Sequence, residues 1–237
     1  MEKLAMPLWR PEGTTGDEFR DTLLALAAEQ LCQLPAVRAL RLAVVDSDVS
    51  PADNKRMASF GELPDGVLSA WVDSVTHADS LQRLLEPVVA KSAAYLVTES
   101  EQLVNSESVD ARGRLPGFCQ VVFLQRPDRL SEEAWLDIWQ GSHTGIAIAT
   151  QSTFGYRQNV IVRALTAGSA PYSAMIEENF PAQAMTSDHA FYAAPDDATL
   201  QANVTSMMDS CARFIDFERI DVIPMSEYLL SQPATKG

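Results

Sequence analysis

Three cysteines in 237 residues, none spaced as a CxxC pair, give the chain neither a disulfide framework nor a cysteine-based zinc site. Cys32, Cys119 and Cys211 each lie in an apolar run and read as small buried hydrophobes, as expected in a reducing compartment. Histidine is equally scarce. His77, His143 and His189 are far apart in the sequence and have no neighbouring cysteine or paired acids, so no metal site is expected. A Gly-rich phosphate loop of the P-loop or dinucleotide kind is missing, and so is a GxSxG nucleophile elbow. No cofactor is expected on these grounds. Basic residues are few: 18 Lys and Arg stand against 32 Asp and Glu, a net charge of −14. A nucleic-acid partner needs a cationic surface to displace phosphate counterions, and an anionic membrane would be repelled by the same field. No apolar run nears the roughly 18 residues of a membrane span, and the first residues lack a signal-peptide core. The expectation is a cytoplasmic chain without membrane or nucleic-acid partners.

What the chain does have is apolar residues, 46% of the total, enough for a sizeable core. It also has an internal repeat. Leu8-Trp9-Arg10-Pro11-Glu12 returns as Leu124-Gln125-Arg126-Pro127-Asp128, an offset of 116. At that offset Thr15 falls on Ser131, Phe19 on Trp135, Leu23 on Trp139 and Ala27 on His143. Two further weak matches keep the same order: Leu68–Asp73 with Tyr172–Glu177, and Val97–Leu103 with Ile223–Leu229.

Each half yields one element string. In the first, Lys3–Trp9 reads as a strand, and Thr15 with Glu18 forms a capping box for a helix to about Leu34. Arg38–Asp46 and Val67–Val75 read as strands, Asp79–Ala94 as a helix kinked at Pro87, and Tyr95–Val104 as a strand. In the second, Phe118–Leu124, Tyr156–Leu165, Tyr172–Glu178 and Asp221–Leu229 read as strands, with helices capped by Ser131 and Asp196. The fold class is therefore α+β: two tandem ferredoxin-like β-α-β-β-α-β halves forming an intrachain pseudo-dimeric α+β barrel. The halves are residues 1–105 and 118–230, joined by a linker, 106–117, and followed by a tail, 231–237. A pocket is expected in the space between the two sheets, and pairing into a homodimer stays open.

The halves differ where chemistry would sit. Trp135, Trp139 and His143 lie four apart, a stripe on one helix face where the first half has Phe19, Leu23 and Ala27. Gly141, Ser142 and Gly145 weaken that helix, which is expected to end or bend there. A histidine beside aromatic walls can act as acid or base near neutral pH, or can simply bond a carbonyl at the core edge. The longer segment before the last helix offers Asp188, His189 and Tyr192 as pocket polars, or as a plain surface loop. Along Tyr156–Val160, Tyr156 and Gln158 share one face and Arg157 and Asn159 the other. Polar groups here can orient a carbonyl, or a polar face can be wet.

The opening Met1-Glu2-Lys3-Leu4…Leu8-Trp9-Arg10-Pro11, with Phe123…Arg126-Pro127…Trp139-x3-His143, resembles the EthD family of the dimeric α+β barrel superfamily. The resemblance covers most of residues 118–230 and, more weakly, 1–105. It implies a fold similar to muconolactone isomerases, polyketide cyclases and cofactor-free monooxygenases. It also implies a catalytic histidine near the end of the first helix, as in fungal relatives that act as dehydratases or decarboxylases on polyketides. Only His143 matches that position; Ala27 departs from it. The leading expectation is a cofactor-independent lyase or isomerase on a small enolisable aromatic or polyketide-like compound. His143 would be its acid/base, Trp135 and Trp139 its apolar walls, and Tyr156 or Asn159 its oxyanion donor. The rivals are a non-catalytic small-molecule-binding barrel, whose ligand emerges unchanged, and a cofactor-free monooxygenase, which consumes oxygen. A haem-binding form of the fold would show a Soret band.

Overall fold

A computed structural model describes residues 1–231; the rest of the expected tail lies outside the described residues. The first half runs β1 (Glu2–Trp9), α1 (Gly16–Glu29), β2 (Val37–Val44), β3 (Gly66–Val72), α2 (Ala78–Leu85), a two-residue β4 (Lys91–Ser92) and β5 (Tyr95–Leu103). The second runs β6 (Phe118–Leu124), α3 (Glu132–Leu136), a π-helical turn (Asp137–His143), α4 (Thr144–Thr150), β7 (Gly155–Ala164) and β8 (Ala174–Phe180). It ends with α5 (Asp188–Phe191), α6 (Asp197–Phe214) and β9 (Ile220–Ser231).

Local chemistry explains the helix starts. Thr15 accepts from Glu18 N while the Glu18 side chain takes the Thr15 amide, the reciprocal cap expected from sequence. Ser131 accepts from Ala134 N and Asp196 from Thr199 N in the same way. The helix expected to kink at Pro87 instead stops at Leu85. Glu86 still has helical angles and its amide bonds the Gln82 carbonyl, but Pro87 after it brings no amide to carry the ladder on. The chain then turns back to lay Lys91 and Ser92 against Trp9 and Leu8.

Every strand pairing is antiparallel, and each half orders its strands as 4-1-3-2: β5-β1-β3-β2 and β9-β6-β8-β7. The halves join edge to edge twice, β2 on β9 and β7 on β5. Those two seams close an eight-stranded barrel and leave none of its four sheet edges unpaired. The helices of each half pack on the outside of its own four strands. One outer core gathers Leu4, Phe19, Leu23, Leu42, Leu68, Leu81 and Leu85; the other gathers Trp135, Trp139, Tyr156, Ile176, Met207 and Phe214.

Inside the barrel, Tyr95, Val121, Phe123, Tyr172, Met175 and Ile223 fill one region. Elsewhere the interior is charged. Arg157, 1% exposed, lies 2.5 Å from Glu227 and 3.5 Å from Glu177. Lys3 reaches Glu177 at 3.1 Å and Glu99, and Arg41 reaches Glu227 at 3.1 Å. A cavity of about 450 Å³ opens at this end beside Trp71, Glu99 and Arg157. His143 is not in it, because every helix is outside the barrel.

Gly117, at the entry to β6, has φ +71, and a Cβ there would stand 1.9 Å from the Phe180 carbonyl oxygen. Both the left-handed backbone and the close approach require glycine. Gly117→Ala is expected to lower stability by about several kcal/mol, read as a lower denaturant midpoint at unchanged m-value.

Candidate functional site

His143 enters the site through a helix that does not end where its glycines are. The segment stays helical from Glu132 to Thr150 but widens to i→i+5 bonding over Asp137–His143, with Thr144 N donating to the Trp139 carbonyl. π-turns are costly and recur at functional sites. The wide turn breaks the four-residue stripe: Trp135 and Trp139 stay together at 5.1 Å, but His143 packs on Phe214 of α6 at 4.6 Å.

The His143 ring is 5% exposed and is held by one hydrogen bond. Its Nδ1 lies 3.0 Å from Ser210 Oγ. That oxygen already accepts from Arg213 at 3.2 Å, and among the described residues no other acceptor for its hydrogen is found. The consistent arrangement has Ser210 donating to Nδ1, which puts the imidazole proton on Nε2. Burial, and then the Arg213 charge, hold the imidazole pKa down to about 4. Burial thus keeps the His143 ring neutral at physiological pH.

It lines a cavity of about 440 Å³ between the outer face of β6, β8, β7 and β9 and the helices α5 and α6. The walls are mainly apolar: Val122, Ile176, Phe191, Val204, Met207 and Val222 among them. Three of the exposed large hydrophobics of the chain, Met57, Met208 and Phe217, also line it. Size and lining match the usual small-molecule pocket.

One acid lies in this apolar space. Strand register places Gln120, Glu178 and Tyr156 in a row across β6, β8 and β7. Glu178 is 7% exposed, and among the described residues no side-chain hydrogen bond or ion pair to it is found. Desolvation alone raises its pKa to about 8, so it is mostly protonated at neutral pH. Its nearness pushes the Tyr156 phenol up beyond the effect of burial, and contributes to a Cys211 thiol pushed up to about 12.

The first half also reaches the site. Lys55 and Met57, from the connection between β2 and β3, line the cavity. Lys55 Nζ lies 3.5 Å from Asp188 and 4.6 Å over the Phe191 ring. The first half, expected to be without a site of its own, therefore supplies part of one wall.

Of the residues singled out from sequence, the structure brings His143, Tyr156, Asp188 and Tyr192 to this cavity. Four others lie elsewhere. Trp135 and Trp139 are 1% and 0% exposed in the core behind it, with Trp139 Nε1 donating to the Tyr156 hydroxyl at 3.4 Å. Asn159 faces the barrel interior, where its amide donates to the Met175 carbonyl and to Glu177, each at 3.1 Å. Strand alternation puts it on the side of the sheet away from His143. His189 caps the α5–α6 connection, donating to the Ala194 carbonyl at 3.1 Å with Asp197 at 3.0 Å. The segment read as a loop is a short 3₁₀ turn and α5, packed through Phe191 on Phe180 at 4.5 Å. Sequence reading missed Glu178, Gln120, Gln151 and Lys55. No group of three His, Cys, Asp or Glu side chains able to hold a metal exists among the described residues, and no helix there is long and apolar enough to cross a membrane.

Among solved structures the chain is similar to an anthrone oxidase-like protein, 8% identical, over 100% of this chain and 96% of that one, with a TM-score of 0.54. What they share is the α+β fold with an eight-stranded antiparallel barrel. A chlorite dismutase from Candidatus Nitrospira defluvii matches 97% of this chain and 91% of its own at 8% identity and a TM-score of 0.49. A dye-decolorizing protein from V. cholerae matches 98% and 93% at 11% and 0.44. At 8% identity the likeness to the anthrone oxidase-like protein is one of fold. No protein-family model matches the chain, and no curated protein matches it.

Proposed function

We propose that this barrel binds a small, mainly apolar, aromatic molecule in the cavity beside α6 and moves a proton on it without a cofactor. The activity would be of the lyase or isomerase kind implied by the EthD resemblance. The observation that carries this reading is the pairing of a partnerless buried acid, Glu178, with a neutral histidine, His143, in one apolar cavity. A buried carboxyl with no protein partner is destabilising and is retained where it has another use. Tyr156 and Gln120 flank the acid, and the Lys55–Asp188 pair also lines the cavity. The anthrone oxidase-like neighbour adds the fold and leaves the reaction to the site.

The test is binding and turnover together. Aromatic ketones and phenols are screened by thermal shift, then by product analysis, against wild type and Ile176→Trp, which fills the cavity. Expected are stabilising ligands that wild type converts and the filled variant does not bind. Ligands released unchanged would support a binding protein, and oxygen uptake with substrate would support the oxygenase. Equal binding by the filled variant would remove the cavity from the account.

A further inference from the structure

The two proton-bearing groups in the cavity differ in what they can do. His143 was singled out from sequence as the acid/base. Its surroundings argue against that role. The relay from Arg213 through the Ser210 hydroxyl to Nδ1 occupies one ring nitrogen and leaves the other carrying hydrogen. A nitrogen that already carries hydrogen cannot take a proton, and a cation beside the relay opposes imidazolium. What this ring offers the cavity is a neutral N–H donor at Nε2. Glu178 offers the opposite. Its carboxyl has no fixed partner in the protein, so its proton is free to leave and return, and its ionised form would be a strong base for lack of solvation.

We propose, on the reading that the cavity binds an aromatic ligand, that Glu178 is the catalytic base and His143 the neutral hydrogen-bond donor in the enolisation of a ketone with an α-hydrogen. The step balances without an oxidant or co-reactant. The Glu178 carboxylate takes the α-proton, and the C–H electron pair becomes the new C=C bond. The carbonyl π pair moves to oxygen, where Nε2–H stabilises the enolate by a hydrogen bond made strongest as charge develops. Return of the proton from Glu178 to the same or a conjugated carbon completes exchange or isomerisation. Loss of a β-leaving group from the enolate would make the same site a lyase. The substrate class is therefore a neutral aromatic or fused-ring ketone. A carboxylate ligand would meet a second acid at Glu178 and is disfavoured.

The groups facing Glu178 set the pH dependence. They are Gln120 and Tyr156 beside it on β6 and β7, and the other groups that line the same cavity: Cys211 on α6, His143 on the π-turn, Lys55 and Asp188. Tyr156 and Cys211 stay neutral through the physiological range, and His143 is already neutral above about pH 5. Glu178, at about 8, is left as the group that switches the rate.

The experiment follows α-hydrogen exchange of 2-tetralone in D2O by proton NMR, with binding read by saturation transfer. Wild type is expected to accelerate exchange, about tenfold per pH unit up to a plateau near pH 8. Glu178→Gln is expected to lose at least about 100-fold while still binding the ketone. His143→Leu is expected to lose about 100- to 1,000-fold, and His143→Gln, which keeps an N–H donor, to regain part of that. Ser210→Ala, at a positioning residue, is expected to lower the exchange rate while the affinity for the ketone holds. In the ligand-free protein, ¹⁵N-histidine spectra are expected to show the His143 proton on Nε2.

A flat profile from pH 5 to 9 with an active Glu178→Gln would return the base role to His143 and overturn the assignment. So would a proton found on Nδ1. Ketone binding without exchange would overturn enolisation alone. Absence of binding by any aromatic ketone would overturn the pocket reading as well.

Discussion

Glu178→Gln is expected to raise the thermal midpoint at pH 8 by roughly 10 °C and to leave it unchanged at pH 4. The folded protein holds this acid at a pKa of about 8, against 4.5 for an ordinary glutamate. Between those values the unfolded chain releases a proton that the folded chain keeps, so stability falls as pH rises. The group's favourable contribution is complete below pH 4.5 and is lost as pH climbs to about 8. The difference approaches about 4 kcal/mol at pH 8, and a chain of this size shifts by about 2–4 °C per kcal/mol. Glutamine cannot ionise, so the variant escapes the penalty, less whatever its second amide hydrogen costs in the same apolar space. Calorimetry across pH 4–9 reads the result. Equal midpoints at pH 8 would mean that the acid is hydrated or paired.

Arg157→Met is expected to act in the opposite direction, lowering the midpoint by roughly 10 °C at pH 7. Arg157 lies between Glu177 and Glu227, and all three side chains are at most 3% exposed. Its charge, with Lys3 and Arg41, holds both carboxyls below the usual glutamate range against their own desolvation. Removing one partner of a buried ion pair costs about 3–5 kcal/mol, because the carboxylates left behind cannot recover their water. The network holds three cations, Lys3, Arg41 and Arg157, and three acids, Glu99, Glu177 and Glu227. Glu227→Gln in the Arg157→Met background restores the charge balance and is expected to recover part of the loss. A double-mutant cycle measures the coupling. Additive losses would show that the ions do not act as one network. The sign with pH is the reverse of that for Glu178: this stabilisation is present above the ordinary glutamate pKa and fades as pH falls below it.

These two sites mark what a sequence can and cannot show. The element order was readable because Thr15, Ser131 and Asp196 announce helix starts with a local hydrogen bond. His143 was readable because one half has it where the other has Ala27. Glu178 was not. It follows Glu177 in Ala174-Met-Ile-Glu-Glu-Asn-Phe180, where two adjacent acids look like the wet end of a strand. Both faces of β8 are buried, one by the barrel interior and one by α6, so alternation sends one acid to each. An acid pair inside a strand covered on both sides was the available signal. Asn159 was misplaced for a related reason: alternation correctly put it opposite Tyr156, but both were offered for one oxyanion. The tryptophan stripe assumed 3.6 residues per turn, and the π-turn at Asp137–His143 removed His143 from it. Lys55 and Met57 could be assigned to the cavity only once the barrel had closed.

The proposed chemistry needs the Glu178 carboxyl to stay protonated in its apolar cavity until a ligand or alkali reaches it. Carbon-13 NMR of glutamate-labelled protein, with the Glu178 signal identified by its loss in Glu178→Gln, measures this directly. The expected result is one carboxyl titrating near pH 8 and moving when 2-tetralone is added. A Glu178 signal that titrates near 4.5, or that ignores the ketone, would contradict it.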